Sequence, residues 1–392
     1  QRTRFLDVSH QPACPAEGQC EAGRHINTST PQHLNTSTLQ HTKMNINELD
    51  TPVVVIDLDK VEANIKKLQV YLDKYGIANR PHIKTHKIPE IARMQLKAGA
   101  KGITCQKLGE AEVMADAGID DILITYNIMG NAKLQRLTQL ASRINLRVTA
   151  DSEFTVRGLS DACSAAGVET GVMVEFESGT QRCGVQTPAE AAALARLIVA
   201  LPGLRFDGLM TYPTTEKTGP FVKETRTLLA ADNISIPRVS GGGTPRMWEA
   251  HTWKEATEHR AGTYVYGDRR TVAYGAMTYE EVAMRVITTV VSRPTPDRGI
   301  LDGGSKTFSS DLSGLEGHGY ILEYPDATIY AQSEEHGHVD FSRCRNQPQI
   351  GERVTVIPNH TCVVSNLFNQ VVGVRGNTVE LIWPVSARGA VQ

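Results

Sequence analysis

Arg80-Pro81-His82-Ile83-Lys84-Thr85-His86-Lys87 opens as a strand and turns into a helix at Pro89. Proline suits the first helical position, where its missing N–H would have had no partner anyway. Arg80, Lys84 and Lys87 crowd the stretch together with His82 and His86. A lysine at a strand end, desolvated and ringed by cations, is held near the pKa at which its amine attacks a carbonyl. Taken alone, the stretch reads equally as a basic surface loop ahead of a helix. The chain on either side decides between the two.

The same passage from strand to helix recurs on both sides. Upstream, Val53–Asp57 is a short apolar run, followed by Val61, Ile65, Leu68 and Leu72 at helical spacing. Downstream, strand-like runs fall at 102–106, 121–126, 146–151, 171–177, 204–212 and 236–241. Amphipathic or alanine-rich stretches such as 88–98, 108–117 and Pro188–Ala200 separate them, and Ala98-Gly99-Ala100 and Ala117-Gly118-Ile119 supply helix stops. With Val53–Asp57 and 80–84 counted, the runs amount to eight strand–helix units, which close into a (β/α)8 barrel. An open doubly wound sheet would carry a glycine-rich turn after its first strand, and Leu58-Asp59-Lys60 has none.

Beyond about residue 270 the pattern becomes short β-branched runs between Pro, Gly and Asp turns, at 284–288, 290–292, 328–332, 338–340, 353–357 and 379–382. The expectation is a barrel over 44–270 and a β domain over 271–392. Residues 1–43 stand apart: Asn27-Thr28-Ser29-Thr30 and Asn35-Thr36-Ser37-Thr38 form a polar near-repeat with little to bury. They read as a disordered tail or a non-native extension before Met44.

Composition narrows the function. The chain has 392 residues, 40% hydrophobic and 21% charged, with a formal net charge of −2. That balance gives no electrostatic reason for a nucleic-acid or anionic-membrane partner. No apolar run approaches the roughly 20 residues of a spanning helix. The seven cysteines are odd in number and scattered, which argues against a disulfide framework and for a reducing, cytoplasmic setting.

In a barrel of this kind chemistry gathers at the C-terminal strand ends. Lys84, Gln106, Tyr126 and Asn127 stand at such ends, as do Glu175 and Glu177, followed by Arg182 and Cys183, and then Tyr212. The last run ends in Ser240-Gly241-Gly242-Gly243-Thr244-Pro245, where consecutive glycines let backbone N–H groups close on an anion. A phosphate cradle opposite a strand-end lysine suggests a phosphorylated aldehyde held as a Schiff base, namely pyridoxal 5'-phosphate.

Thr51-Pro52, the 80–87 stretch, Cys105-Gln106-Lys107 with Glu110-Ala111-Glu112, and Ser240-Gly241-Gly242-Gly243-Thr244 together resemble the D-threonine aldolase and D-serine dehydratase family. Its members are fold-type III pyridoxal-phosphate enzymes with an alanine racemase-like barrel. The likeness runs from about Leu49 to the C-terminus. Carried over, it makes Lys84 the Schiff-base lysine and Ser240, Gly241, Gly242 and Thr244 the phosphate ligands. It puts Arg182 near the cofactor's phenolic oxygen, Gln106 and Tyr212 near the ring, and Tyr264 at the phosphate. Arg182 reads equally as a partner of Glu175 or Glu177, and Tyr212 as a barrel-rim aromatic.

Such sites have no carboxylate at the pyridine nitrogen, so another charge stabiliser is needed. Ile357-Pro358-Asn359-His360-Thr361-Cys362 offers one, because alternation in an extended segment puts His360 and Cys362 on one face. The resemblance implies a divalent metal at that pair, acting on the substrate's β-hydroxyl. Imidazole with thiolate favours zinc, with manganese or magnesium as alternatives. Several family aldolases carry a histidine soon after the tyrosine of the seventh strand, whereas this chain reads Tyr212-Pro213-Thr214-Thr215. His336 and His338 are loop histidines or part of the same mouth.

The resemblance therefore implies a lyase acting on a small-molecule β-hydroxy-D-amino acid. D-threonine aldolase is the first expectation and D-serine dehydratase the alternative, ahead of a racemase or a non-catalytic pyridoxal-phosphate-binding protein. A homodimer is implied by the same likeness.

Overall fold

The computed structural model describes residues 44–392, so the expected tail at 1–43 lies outside the described residues. The first strand, β1 (Val53–Asp57), leads into α1 (Leu58–Lys74), whose N-terminus is capped by Asp57 accepting from the Lys60 N–H. Val61, Ile65, Leu68 and Leu72 form the buried face of α1, as their spacing requires.

Strand β1 does not belong to the barrel. It pairs antiparallel with a strand of the C-terminal sheet and parallel with another, which corrects its assignment as the first barrel strand. Val54, Val55 and Ile56 are all buried, and an apolar run covered on both faces looks the same in either sheet.

The barrel strands are β2 (Ala78–Asn79), β3 (Ile103–Cys105), β4 (Asp121–Ile124), β5 (Asn145–Ala150), β6 (Thr170–Glu175), β7 (Leu204–Met210), β8 (Val239–Gly241) and β9 (Glu258–His259). They form one eight-stranded parallel sheet in the order β2-β9-β8-β7-β6-β5-β4-β3. The sheet curls round on itself, and just past β2 the His82–Thr104 bridge joins its two edges, with the Thr104 N–H donating to Pro81 O at 2.8 Å. The eighth member is thus β9, a polar dipeptide that carries no apolar run to betray it.

Around the sheet run α2 (Pro89–Lys97), α3 (Leu108–Asp116), α4 (Asn131–Ala141), α5 (Glu153–Ala166), α6 (Pro188–Ala200) and α7 (Thr218–Ala230). Their ends follow local chemistry: Thr187 and Glu190 make a capping box at α6, and Gly118 turns the chain beyond α3 at φ +85°. The N-terminal end of the barrel is closed by buried ion pairs. Arg80 reaches Glu258 at 2.6 Å and also Asp121, and Arg147 reaches Asp121 at 2.8 Å and also Asp207.

After the short helix α8 (Arg269–Ala273), the C-terminal part is mostly sheet. It comprises β10 (Met284–Ser292), β11 (Arg298–Leu301), the helical turn α9 (Ser305–Phe308), β12 (Tyr320–Ile321), β13 (Thr328–Gln332), β14 (Gly337–Asp340) and β15 (Arg353–Ile357). Helix α10 (Thr361–Leu367) and strands β16 (Gln370–Arg375) and β17 (Thr378–Pro384) end it. With β1 these strands make a nine-stranded sheet. Among the described residues no helix is long and apolar enough to cross a membrane.

Candidate active site

Lys84 sits in a 3-10 turn, Ile83–Thr85, one step past β2 rather than in the strand itself. The turn is capped by His82, whose Nδ1 accepts from the Lys84 N–H at 3.4 Å. His82 Nε2 is thereby left as a donor to Gln106 Oε1 at 3.2 Å, and Gln106 Nε2 donates to Thr125 O at 2.9 Å. The Gln106 amide, just beyond β3, is thus held in one orientation.

Burial lowers the Lys84 pKa from the ordinary lysine value. Cys362 and Glu110 oppose that shift, while Arg182 and Arg260 add to it. The direction is the one expected from the sequence, but the neighbours differ. Arg80 is committed to Glu258 and Asp121. Lys87 pairs with Glu110 at 3.0 Å, and buried His86 accepts from the Ile88 N–H at 3.0 Å. The cations that press on Lys84 arrive from distant strand ends.

The cavity over Lys84 encloses about 880 Å³ of space not filled by atoms, its open mouth included. Gln106, Arg182, Tyr212, Thr244, His360 and Cys362 line it with Lys84, so most of the side chains expected from the sequence meet at one place. Glu177 builds the loop that delivers Arg182, accepting from the N–H groups of Thr180 at 2.6 Å and Arg182 at 3.2 Å. The Arg182 guanidinium lies 3.4 Å from Glu175 and 5.3 Å from the Tyr212 ring centroid, so it both pairs with the carboxylate and lines the cavity.

The glycine run is used differently from expectation. The Ser240 hydroxyl faces inward, donating to Glu258 Oε1 at 2.7 Å and accepting from Arg260 Nε at 2.9 Å. Gly241 and Gly242 are not among the residues that line the cavity, and the Gly242 N–H donates to Thr214 Oγ1 at 2.5 Å. Thr214 therefore shapes the glycine turn. The cradle that faces the cavity is formed by Gly243 and Thr244 on one side and Gly262 and Thr263 on the other. Each pair opens a 3-10 helix, Thr244–Thr252 and Thr263–Val265. A Cβ on Gly262 would stand 2.9 Å from His82 O, so only glycine lets this loop approach the lysine turn.

Tyr264 is not brought to the cavity. Its ring is buried in the core and its hydroxyl accepts from Gln95 Nε2 at 3.0 Å, while its backbone N–H donates to Thr244 Oγ1 at 3.3 Å. His336 and His338 also lie outside the cavity lining.

His360 and Cys362 do face the cavity, but on a helix start instead of an extended run. His360 is the N-cap residue of α10 and Cys362 lies in its first turn. Asp311 Oδ2 holds His360 Nδ1 at 2.7 Å, leaving Nε2 as the free nitrogen. Cys362 Sγ is 3.2 Å from Thr85 Oγ1, the residue after the cavity lysine. Burial opposes charge on the His360 imidazole, yet Cys362 and Asp311 outweigh it and push its pKa up to about 9. Burial likewise raises the Cys362 thiol, but His360, Lys84 and Thr85 together hold it below the usual thiol range. An imidazole beside a thiol whose pKa is held down is a donor set suited to a soft divalent cation. Among the described residues no third His, Cys, Asp or Glu completes a closed site around them, which leaves positions for water or substrate.

Several lining residues escaped the sequence. Arg260 follows the polar strand β9 and donates to Ser240 Oγ and to Thr211 O at 2.5 Å. Burial pulls its pKa down to about 10. Asp268 and Arg270 come from the N-terminus of α8. None of the three stands in an apolar run, so only the closed barrel reveals them.

Residues 56–270 match the family model for the alanine racemase N-terminal domain, and residues 283–374 match a putative serine dehydratase domain. The chain is 36% identical over 360 residues to a D-threonine aldolase of an Arthrobacter species, covering 87% of this chain and 93% of that protein. It is 31% identical over 369 residues to a 3-hydroxy-D-aspartate aldolase of Paracoccus denitrificans, covering 88% and 94%. The crystal structure of D-threonine aldolase from Filomicrobium marinum superposes with a TM-score of 0.82 at 31% identity, over 89% of this chain and 99% of that one.

Proposed function

This chain belongs to the alanine racemase-like family that holds the D-threonine aldolases and D-serine dehydratases. From that premise we propose that it is a pyridoxal-phosphate- and divalent-metal-dependent aldolase that splits β-hydroxy-D-amino acids into glycine and an aldehyde. That it is a pyridoxal-phosphate-dependent lyase for β-hydroxy-D-amino acids follows from its relatives. D-threonine as a substrate, cleavage as the outcome and the metal are our own reading.

One observation carries it. The desolvated Lys84 amine and the His360–Cys362 pair face a single cavity, close enough that Lys84 and Cys362 feel each other's charge. A racemase or a passive carrier has no use for a cation site beside its lysine. A lyase that must handle a β-hydroxyl has.

Lys84 would carry pyridoxal phosphate, which supplies an electron sink for the bond broken at Cα. The cradle of Gly243, Thr244, Gly262 and Thr263 would hold its phosphate by backbone N–H groups at two 3-10 helix starts. Arg182 would stand at the phenolic oxygen, and Gln106, Tyr212 and Arg260 around the ring. A guanidinium, not a carboxylate, would then be the charged group Arg260 brings to the ring, in keeping with the weak protonation expected of its nitrogen. His360 Nε2 and Cys362 Sγ would grip a divalent cation that polarises the β-hydroxyl, and the Asp311 carboxylate keeps the imidazole turned for that task.

The dehydratase remains a second reading because the second ligand is Cys362. A cysteine occurs at this position in the family's dehydratases, and its aldolases carry an aspartate or a cysteine; in this reading Lys84 would take the α-proton. Product analysis with D-threonine separates the two. Glycine and acetaldehyde are expected, whereas 2-oxobutanoate and ammonia would replace the aldolase reading by the dehydratase.

A further inference from the structure

We propose that Arg270, with Tyr274 beside it, is the subsite for the substituent on the substrate's β-carbon, and that it selects β-hydroxy-D-amino acids whose β-carbon bears a carboxylate. This rests on the lyase reading and refines its substrate: D-threonine is turned over, and the homologue with a β-carboxylate is preferred.

Four lysine and arginine side chains line the cavity: Lys84, Arg182, Arg260 and Arg270. The first three have duties already described. Lys84 is the cavity amine, Arg182 is shared between Glu175 and Tyr212, and Arg260 is fixed by Ser240 and Thr211. Arg270 differs. Its Nε donates to the Tyr274 hydroxyl at 3.0 Å and its guanidinium lies 5.4 Å from the Tyr274 ring centroid. Among the described residues no carboxylate pairs with it, and both terminal nitrogens keep their donors. Asp268, two residues back, is occupied elsewhere: it is buried and accepts from the N–H groups of Thr271 at 2.8 Å and Thr361 at 3.2 Å.

The backbone fixes which wall Arg270 belongs to. Its N–H donates to Asn359 O at 3.3 Å, and the Arg269 N–H donates to Pro358 O at 3.0 Å. The start of α8 is therefore laced to the segment that delivers His360. With the β-hydroxyl held at His360 and Cys362, a group on the same carbon is turned toward this wall. A planar guanidinium with two free N–H edges matches a carboxylate bidentately, while a methyl there would leave those donors to water and gain nothing from them.

The test compares D-threonine with D-threo-3-hydroxyaspartate in the pyridoxal-phosphate-loaded, metal-supplied protein and in Arg270→Met and Arg270→Lys. The wild type should favour the dicarboxylate in kcat/KM. The ratio of the two kcat/KM values should fall about tenfold or more in Arg270→Met and recover only in part with lysine. An equal loss on both substrates would assign Arg270 to the α-carboxylate and overturn the proposal, as would no loss on either. Binding of D-aspartate and of D-2-aminobutyrate, read from the cofactor absorbance, tests the subsite without turnover, since neither carries a β-hydroxyl. D-aspartate should bind about tenfold more tightly, and Arg270→Met should erase the difference. If the wild type cleaves neither hydroxy acid but keeps that binding preference, the lyase reading fails and the subsite stands. Equal binding of the two overturns the subsite.

Discussion

Ser240 Oγ accepts from Arg260 Nε at 2.9 Å while donating to Glu258 Oε1 at 2.7 Å, so one hydroxyl couples the cavity floor to the buried ion pairs of the barrel. Glu258 in turn holds Arg80 at 2.6 Å. The hydroxyl is consumed by this chain of bonds and has no donor left for a phosphate.

Ser240→Ala should therefore destabilise the cofactor-free protein. It strips partners from a buried carboxylate and a buried guanidinium, which costs about 1–3 kcal/mol. Urea unfolding of the cofactor-free form measures this. A serine that served only as a phosphate ligand would leave that stability unchanged and weaken cofactor binding alone.

Lys84→Ala should abolish covalent retention of pyridoxal phosphate and lower kcat by about a thousandfold or more, since no other amine lines the cavity among the described residues. Borohydride reduction followed by peptide mapping gives the direct readout: label on Lys84 in the wild type and none in the variant.

Asp311→Asn should weaken metal binding by about 10–100-fold, because it loosens the tautomer and orientation of His360 held by the 2.7 Å contact. Titration of the chelated protein with zinc, followed by competition with a chromophoric chelator, reports the affinity independently of turnover.

Acid should destabilise the fold through two buried histidines. Burial lowers the pKa of His86 to about 3 and that of His259 to about 4, so both stay neutral in the folded protein at pH 5. In the unfolded chain each titrates near pH 6.5, so the unfolded state binds more protons between the two values and stability rises with pH there. The stability is complete above pH 6.5 and is lost as pH falls toward the folded values. Each histidine should cost about 2 kcal/mol between pH 7 and pH 5. Urea unfolding at the two pH values, repeated with His259→Gln, checks the slope.

The barrel is legible where its strands are apolar. Ile122, Leu123 and Ile124, or Val172, Met173 and Val174, announce buried strands flanked by helices, and Gly118 marks a stop. It is not legible at Glu258–His259, where the strand's charge is satisfied by Arg80 at the end of the neighbouring strand β2, a pairing between residues 178 positions apart that only the folded sheet creates. Val53–Asp57 misleads for the opposite reason, since its apolar run fits either sheet and pairing with β10 and β16 decides. At the site, Lys84, Arg182, Tyr212, His360 and Cys362 are readable because strand ends and motif spacing point to them. The uses of Ser240 and Tyr264 are hidden because each hydroxyl is claimed by a partner far away in sequence, Glu258 and Gln95. The helix at Thr361–Leu367 is obscured by its β-branched residues, Val363 and Val364, which favour strand in isolation.

The union of the Lys84 amine with a cation at His360 and Cys362 is tested most directly by D-threonine cleavage in the pyridoxal-phosphate-loaded protein before chelation, after it, and after metal is returned. Glycine and acetaldehyde should form, fall by about a hundredfold or more on chelation, and recover with zinc while the cofactor absorbance persists throughout. Cleavage that continues undiminished after the metal has been removed would contradict it.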